Sequence, residues 1–170
     1  MGGEGRGFCQ SYLRAADESG WILVAPTFSY GNWRDPAVVG GDDAALTRAL
    51  IAFVDGFAQK QGVPTYPELA IIGFSRGAQL AHCRALAYPE RVSAVAAASA
   101  GTYTLPTETD RVSGATDSAR RFPFGLAGFG RHVSPARLGS VTSWIAVSEN
   151  DDRPDDVLRQ WDAYLGRTRL

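Results

Sequence analysis

The residues with the clearest chemical potential are Gly73-Phe74-Ser75-Arg76-Gly77, a Gly-x-Ser-x-Gly pentapeptide. A serine hydroxyl becomes a useful nucleophile when a turn lifts it clear of its neighbours and a base takes its proton. In a chain with 19 glycines the pentapeptide alone is weak evidence, so its setting must decide. Upstream, Leu69-Ala70-Ile71-Ile72-Gly73 reads as a buried strand running straight into the motif; downstream, Ala78 to Ala87 reads as a helix that stops before Pro89. A strand that passes into a helix within a residue or two needs small neighbours, here Gly73 and Gly77, and would set Ser75 on a strained, exposed turn. The bland alternative is a glycine-flanked turn in which Ser75 merely caps the helix.

Acyl transfer also needs two N–H groups aimed at the tetrahedral oxyanion. The Arg76 N–H, at the positive start of its helix, is one candidate donor. Gly2 and Gly3, in the run Gly2-Gly3-Glu4-Gly5 ahead of the first helix, are the others. Asp151 follows the last apolar run, where a carboxylate can reach across the end of a sheet to orient a histidine. Its neighbour Asp152, close to Pro154, suits a helix start instead. The base is the difficulty, because the chain has only His82 and His132. His82 lies seven residues beyond Ser75 on the same helix, about 10 Å along the axis, and is expected to be a packing residue. His132 falls in an irregular stretch and is a poor candidate.

The elements that must position these residues follow from periodicity. Phe8 to Ser19 predicts a short helix ended by Gly20. Trp21 to Ala25 predicts a buried parallel strand stopped by Pro26. Asp42 and Asp43 are expected to cap a helix whose apolar stripe is Leu46, Ala49, Leu50, Phe53, Val54 and Phe57, running to Gly62. Val92 to Ala98 and Val141 to Val147 predict two more strands, and Pro154 opens a last helix with Val157, Leu158, Trp161 and Leu165 on one face. Gly101 to Gly139 shows no sustained period. Strands alternating with helices imply an α/β domain with a mostly parallel sheet.

Composition narrows the partners. Seventeen Lys and Arg nearly cancel 18 Asp and Glu, which gives no electrostatic footprint for nucleic acid. Cys9 and Cys83 are too few for a disulfide framework and lack metal-ligand spacing; both are expected to be small, mostly buried thiols. The acidic cluster Glu149, Asp151, Asp152, Asp155, Asp156 lacks the calcium-loop spacing and reads as capping. No apolar run reaches membrane-spanning length, and the first residues lack a signal-peptide pattern, so the compartment defaults to cytoplasmic. Oligomeric state is not legible.

Taken in order, Gly2 to Gly5, Trp21 to Pro26, Gly73 to Gly77 and Glu149 to Asp152 resemble the α/β-hydrolase superfamily, with a likeness to its dienelactone-hydrolase and polyhydroxyalkanoate-depolymerase-like esterases. The resemblance implies a partial α/β-hydrolase fold of about four strands flanked by helices, with Gly101 to Gly139 as a lid-like insertion in a single domain. It implies Ser75 as nucleophile, Asp151 as acid, and Arg76 with Gly2 or Gly3 as oxyanion donors. It further implies a small-molecule carboxylic ester as substrate and no cofactor or metal. A peptidase or amidase would use the same residues. In that fold the histidine follows the acid, whereas none follows Asp151 here. The strand that should deliver the glycine loop is missing too. The expectation is therefore an internal segment of a longer hydrolase, with little turnover by itself. The competing expectation is a non-catalytic binding or regulatory domain on the same fold.

Overall fold

A parallel strand is ordinarily covered by the helix that follows it, and of the three paired apolar runs in this chain the first, Leu69–Phe74, is seen covered in that way. The computed structural model describes residues 4–32, 35–110, 118–119, 121–130 and 132–150. The chain divides into two compact units, residues 1–31 and 32–170.

In the first unit, α1 (Gly5–Cys9) passes through a 3-10 turn into α2 (Leu13–Glu18), and Gly20 at φ 65° ends the helical stretch. Gly5 is required: a Cβ there would lie 2.4 Å from the Ala25 carbonyl oxygen. Its N–H donates to Thr27 Oγ1 at 3.0 Å. The strand expected at Trp21 to Ala25 is not formed. Those residues pair with no strand among the described residues, and Trp21 is 64% exposed. An apolar run signals burial, but a strand also needs a ladder neighbour for its N–H and C=O groups.

In the second unit, α3 (Pro36–Gln61) begins six residues earlier than its acidic pair suggested. Asp35 is the cap, accepting from the Ala37 N–H at 2.9 Å, with proline at the first helical position. Asp42 and Asp43 are thus interior residues, which corrects their reading as caps. The buried face of α3 is Val39, Asp43 and Thr47, at helical spacing; the expected stripe lies farther along and Phe53 is exposed. Gly62, left-handed at φ 63°, closes the helix.

The sheet is parallel and three-stranded. β1 (Leu69–Phe74), β2 (Val92–Ala98) and β5 (Thr142–Ala146) lie in that order, with Ile71 opposite Val95 and Val95 opposite Ser143. The expected runs at 69–73, 92–98 and 141–147 all match these strands to within a residue. Between them, α4 (Arg76–Ala87) packs its Ala81 and Ala85 against Ile71, Val92, Val95 and Val141. Each fully buried valine contributes roughly 1.5–3 kcal/mol, and the alanines let helix and sheet approach closely. The mixed α/β class is therefore observed. Among its described residues, the stretch after β2 holds a two-residue ladder, β3 (Thr109–Asp110) with β4 (Ser118–Ala119), an isolated bridge between Arg121 and Ala127, and a short α5 (Pro135–Leu138). No described helix is long and apolar enough to cross a membrane.

Arg91 joins α3 to the turn before β2: it pairs with both carboxylate oxygens of Asp55 and its Nε donates to the Pro67 carbonyl at 2.9 Å. Arg84 differs. It is 1% exposed, and its guanidinium has no hydrogen-bond partner among the described residues. Burial, with Arg91 nearby, draws its pKa down to about 10. A buried cation without a partner is costly and is often improved by an apolar side chain of similar length. Arg84→Met is expected to raise unfolding stability by about 1–3 kcal/mol in urea titration; a loss of stability would show that the guanidinium is held after all.

Candidate functional site

The turn from β1 into α4 is made by one residue. Ser75 has φ 54° and ψ −122°, a positive-φ conformation that non-glycine residues adopt only under constraint. The constraint is visible on both sides. The Ser75 N–H donates to the Ala98 carbonyl at 2.9 Å, so the turn is still paired with β2. The Ser75 carbonyl accepts from the Ala78 and Gln79 N–H groups at 3.0 and 3.2 Å, so it is already part of α4. One residue thus serves two hydrogen-bond systems, and no relaxed backbone conformation does both.

Gly73 makes the turn possible. A Cβ on Gly73 would lie 2.2 Å from the Gly77 carbonyl oxygen and 2.6 Å from the Ala78 nitrogen. Gly77 was expected to be needed for the same reason, but a Cβ there would meet nothing within 4 Å. The close approach belongs to Gly73 against the backbone of Gly77. Ser75 is exposed, and its side chain does not cap α4. The capping alternative is therefore not what the hydroxyl does.

Arg76 is the first residue of α4, where helical N–H groups point out of the helix start. Its side chain reaches to α3. Nη1 donates to Asp43 Oδ2 at 2.9 Å, and Nη2 lies 2.5 Å from Asp43 Oδ1. Asp43 is fully buried, and Gln79 Nε2 stands 3.5 Å from the same Oδ2. Burial pushes the Asp43 carboxyl above its usual range, while the Arg76 hydrogen bond and charge pull it back. The sequence reading missed this pair because Asp43 was assigned to a helix cap. The helix-start signal at Asp35-Pro36 would have freed it for another role.

His82 is committed elsewhere, as expected of a packing residue. Its Nδ1–H donates to the Ala78 carbonyl at 3.1 Å, and its Nε2 accepts from the Thr104 N–H at 2.6 Å. Those two bonds assign the neutral tautomer with the proton on Nδ1. Tyr103 lies against the ring with centroids 5.0 Å apart. Burial holds the pKa down at about 4. The neighbouring Cys83 is buried with Sγ 2.8 Å from Thr104 Oγ1, and burial pushes its thiol up; Cys9, in the first unit, is half-buried. His132 is exposed. Among the described residues, then, Ser75 Oγ has no hydrogen-bonded base.

Asp151, Gly2 and Gly3 lie outside the described residues, as do Asp152, Trp33 and the helix expected after Pro154. Glu149 is exposed. Of the aromatics after β2, Phe124 is buried, while Phe122 and Phe129 pack at 4.8 Å and border a cleft of about 600 Å³ against Ala37, Gly40 and Ala44 of α3. Ser75 does not line that cleft. Among the described residues no three His, Cys, Asp or Glu side chains gather as a metal-ligand set. No protein-family model, curated protein or solved structure matches this chain.

Two measurements test this geometry. Gly73→Ala is expected to cost more than about 3 kcal/mol, since its methyl group meets backbone on both sides, whereas Gly77→Ala stays within about 1 kcal/mol of the parent; chemical denaturation of both reads the contrast. His82 supplies the second. Its folded pKa, about 4, lies below the unfolded value of 6.5, so the unfolded chain binds the extra proton between those values. Stability is then fully present above pH 6.5 and falls as pH drops towards 4, by about 3 kcal/mol. Urea titrations across that window should show the slope in the parent and lose this component in His82→Gln.

Proposed function

We propose that this protein is a serine hydrolase of the α/β-hydrolase type, acting on carboxylic esters through an acyl-enzyme on Ser75. The observation that carries the reading is the Ser75 backbone, at φ 54° and ψ −122°, on an exposed one-residue turn between a parallel strand and a helix. Strain of this kind costs roughly 1–3 kcal/mol and is characteristic of sites where a side chain must be held out from the fold.

In this reading Ser75 Oγ attacks the ester carbonyl carbon while its proton passes to a base. The carbonyl oxygen becomes an oxyanion that accepts from the Arg76 N–H, aided by the positive end of α4. Collapse expels the alcohol, which takes up the proton, and water then releases the acid from Ser75 by the same steps. By the family resemblance Gly2 or Gly3 supplies the second N–H donor, Asp151 orients the base, and the irregular stretch 101–139 covers the site. His82 cannot serve as the base, because both of its ring nitrogens are engaged.

A second reading rests on a specific observation: Ser75 Oγ has no base among the described residues. A binding or regulatory domain that keeps the nucleophile turn but not the chemistry would look the same at this turn.

Added imidazole separates the two, because a small free base can replace a side chain that is not in place. The 170-residue chain is expected to react slowly with a fluorophosphonate probe, to react faster as imidazole is added, and to lose the imidazole-dependent labelling in Ser75→Ala. A folded parent chain whose labelling is insensitive to imidazole and equal to that of Ser75→Ala would overturn the hydrolase reading and favour the binding domain.

A further inference from the structure

The hydrogen bonds of Ser75 to β2 and to the Ala78 and Gln79 N–H groups hold it only if the first turn of α4 is itself fixed; what fixes that turn? The two side chains that leave the first turn of α4 towards α3, those of Arg76 and Gln79, converge on one carboxylate. That carboxylate is Asp43, 0% exposed and 33 residues earlier in the chain. Arg76 meets both of its oxygens, Nη1 at 2.9 Å from Oδ2 and Nη2 at 2.5 Å from Oδ1. The charge-assisted Nη1 hydrogen bond, with Nη2 in ion-pair contact with the other oxygen, ties the start of α4 to α3 and so restrains the backbone that carries Arg76.

The location of Asp43 is informative. A fully buried acid is a poor choice for filling space between two helices, where an apolar residue would pack at no desolvation cost. Its neighbours on the same face of α3, Val39 and Thr47, show what such filling looks like. The charged residue stands at the level of the nucleophile turn and faces the residue directly after Ser75.

We infer that Asp43 is the positioning residue of the nucleophile turn: through Arg76 it holds the first turn of α4 in place and thereby keeps Ser75 in its strained, outward conformation. Removing the carboxylate charge lets Arg76 leave α3, and Ser75 then relaxes towards negative φ. The effect on rate rests on the hydrolase reading, but the effect on the Ser75 backbone does not.

The test reads both. In Asp43→Asn, the three-bond HN–Hα coupling and the Cα and Cβ shifts of Ser75 are expected to lose the signature of positive φ that the parent shows. The maximal rate of imidazole-assisted labelling is expected to fall roughly ten- to hundredfold at an unchanged half-saturating probe concentration. A role confined to stability would lower the unfolding midpoint and leave both Ser75 readouts of the folded protein alone, which would overturn the inference. If Asp43→Asn does not fold, Arg76→Lys keeps the charge but loses the planar guanidinium and its directed Nη1 bond, and the same readouts decide with a smaller expected change. If the parent shows no Ser75-dependent labelling, the hydrolase reading falls by itself. The Ser75 couplings then still decide: positive φ retained in the variants overturns the positioning role, and positive φ lost in them supports it.

Discussion

The constraint on which the second unit depends is the need to reverse direction from β1 into α4 within a single residue. A helix that lies directly on the strand before it leaves no room for a loop. The chain meets this by bringing Gly73 into contact with the backbone of Gly77 and by placing Ser75 at φ 54°. Small residues then continue along the interface: Ala81 and Ala85 on the helix, with Val92 and Val95 on β2. Large side chains at these positions would lift α4 from the sheet and lengthen the turn. The strain at Ser75 is thus a consequence of close helix-to-strand packing, and the exposed hydroxyl is a consequence of the strain.

Such close packing buries α4 on nearly every side. Residues 78–87 are all buried, although they include Gln79, His82 and Arg84. A polar group in that position must find a partner or weaken the fold. Gln79 turns towards Asp43 on α3, and His82 binds the Thr104 N–H in the segment after β2. Thr104 in turn donates its hydroxyl to the Pro123 carbonyl at 2.6 Å. The polar residues of α4 therefore act as ties to two other parts of the chain, one in the first turn and one at mid-helix. Arg84, one helical half-turn beyond the second tie, lacks one of its own among the described residues.

Only one face of the sheet is treated this way. The face carrying Ile71 and Val95 meets α4, whereas Ile72, Ala96 and Trp144 share the opposite face, with Phe74 and Ala98 one step along. Phe74 is 60% and Trp144 59% exposed. Parallel sheets are ordinarily covered on both faces, so this face is the less settled side of the unit. Phe74 is the residue immediately before Ser75, which means the apolar face begins beside the Ser75 turn. The same strand residue that ends the sheet on its open side fixes the start of the turn on its closed side.

What could be read from sequence divides along the same line between local and non-local effects. Strands at 69–73, 92–98 and 141–147, the helix after Ser75 and the strained turn itself follow from local signals: continuous apolar runs, glycine spacing and helical period. Trp21 to Ala25 carries the same apolar signal yet forms no strand, because pairing depends on a partner that a local run does not specify. The start of α3 was obscured by Gly40 and Gly41, which suggest a loop. A Cβ on Gly40 would come within 3.2 Å of the Phe122 carbonyl oxygen, a tight contact with a residue 82 positions away in sequence. Misplacing that start turned Asp43 into a cap and hid its pairing with Arg76. Once α3 is begun at Pro36, Val39, Asp43 and Thr47 fall on one helical face, and an acid between two uncharged buried residues demands a cation from another element. Arg76 supplies it from the first position of α4. The part of the site that was hidden in the sequence is thus the part built from two helices at once.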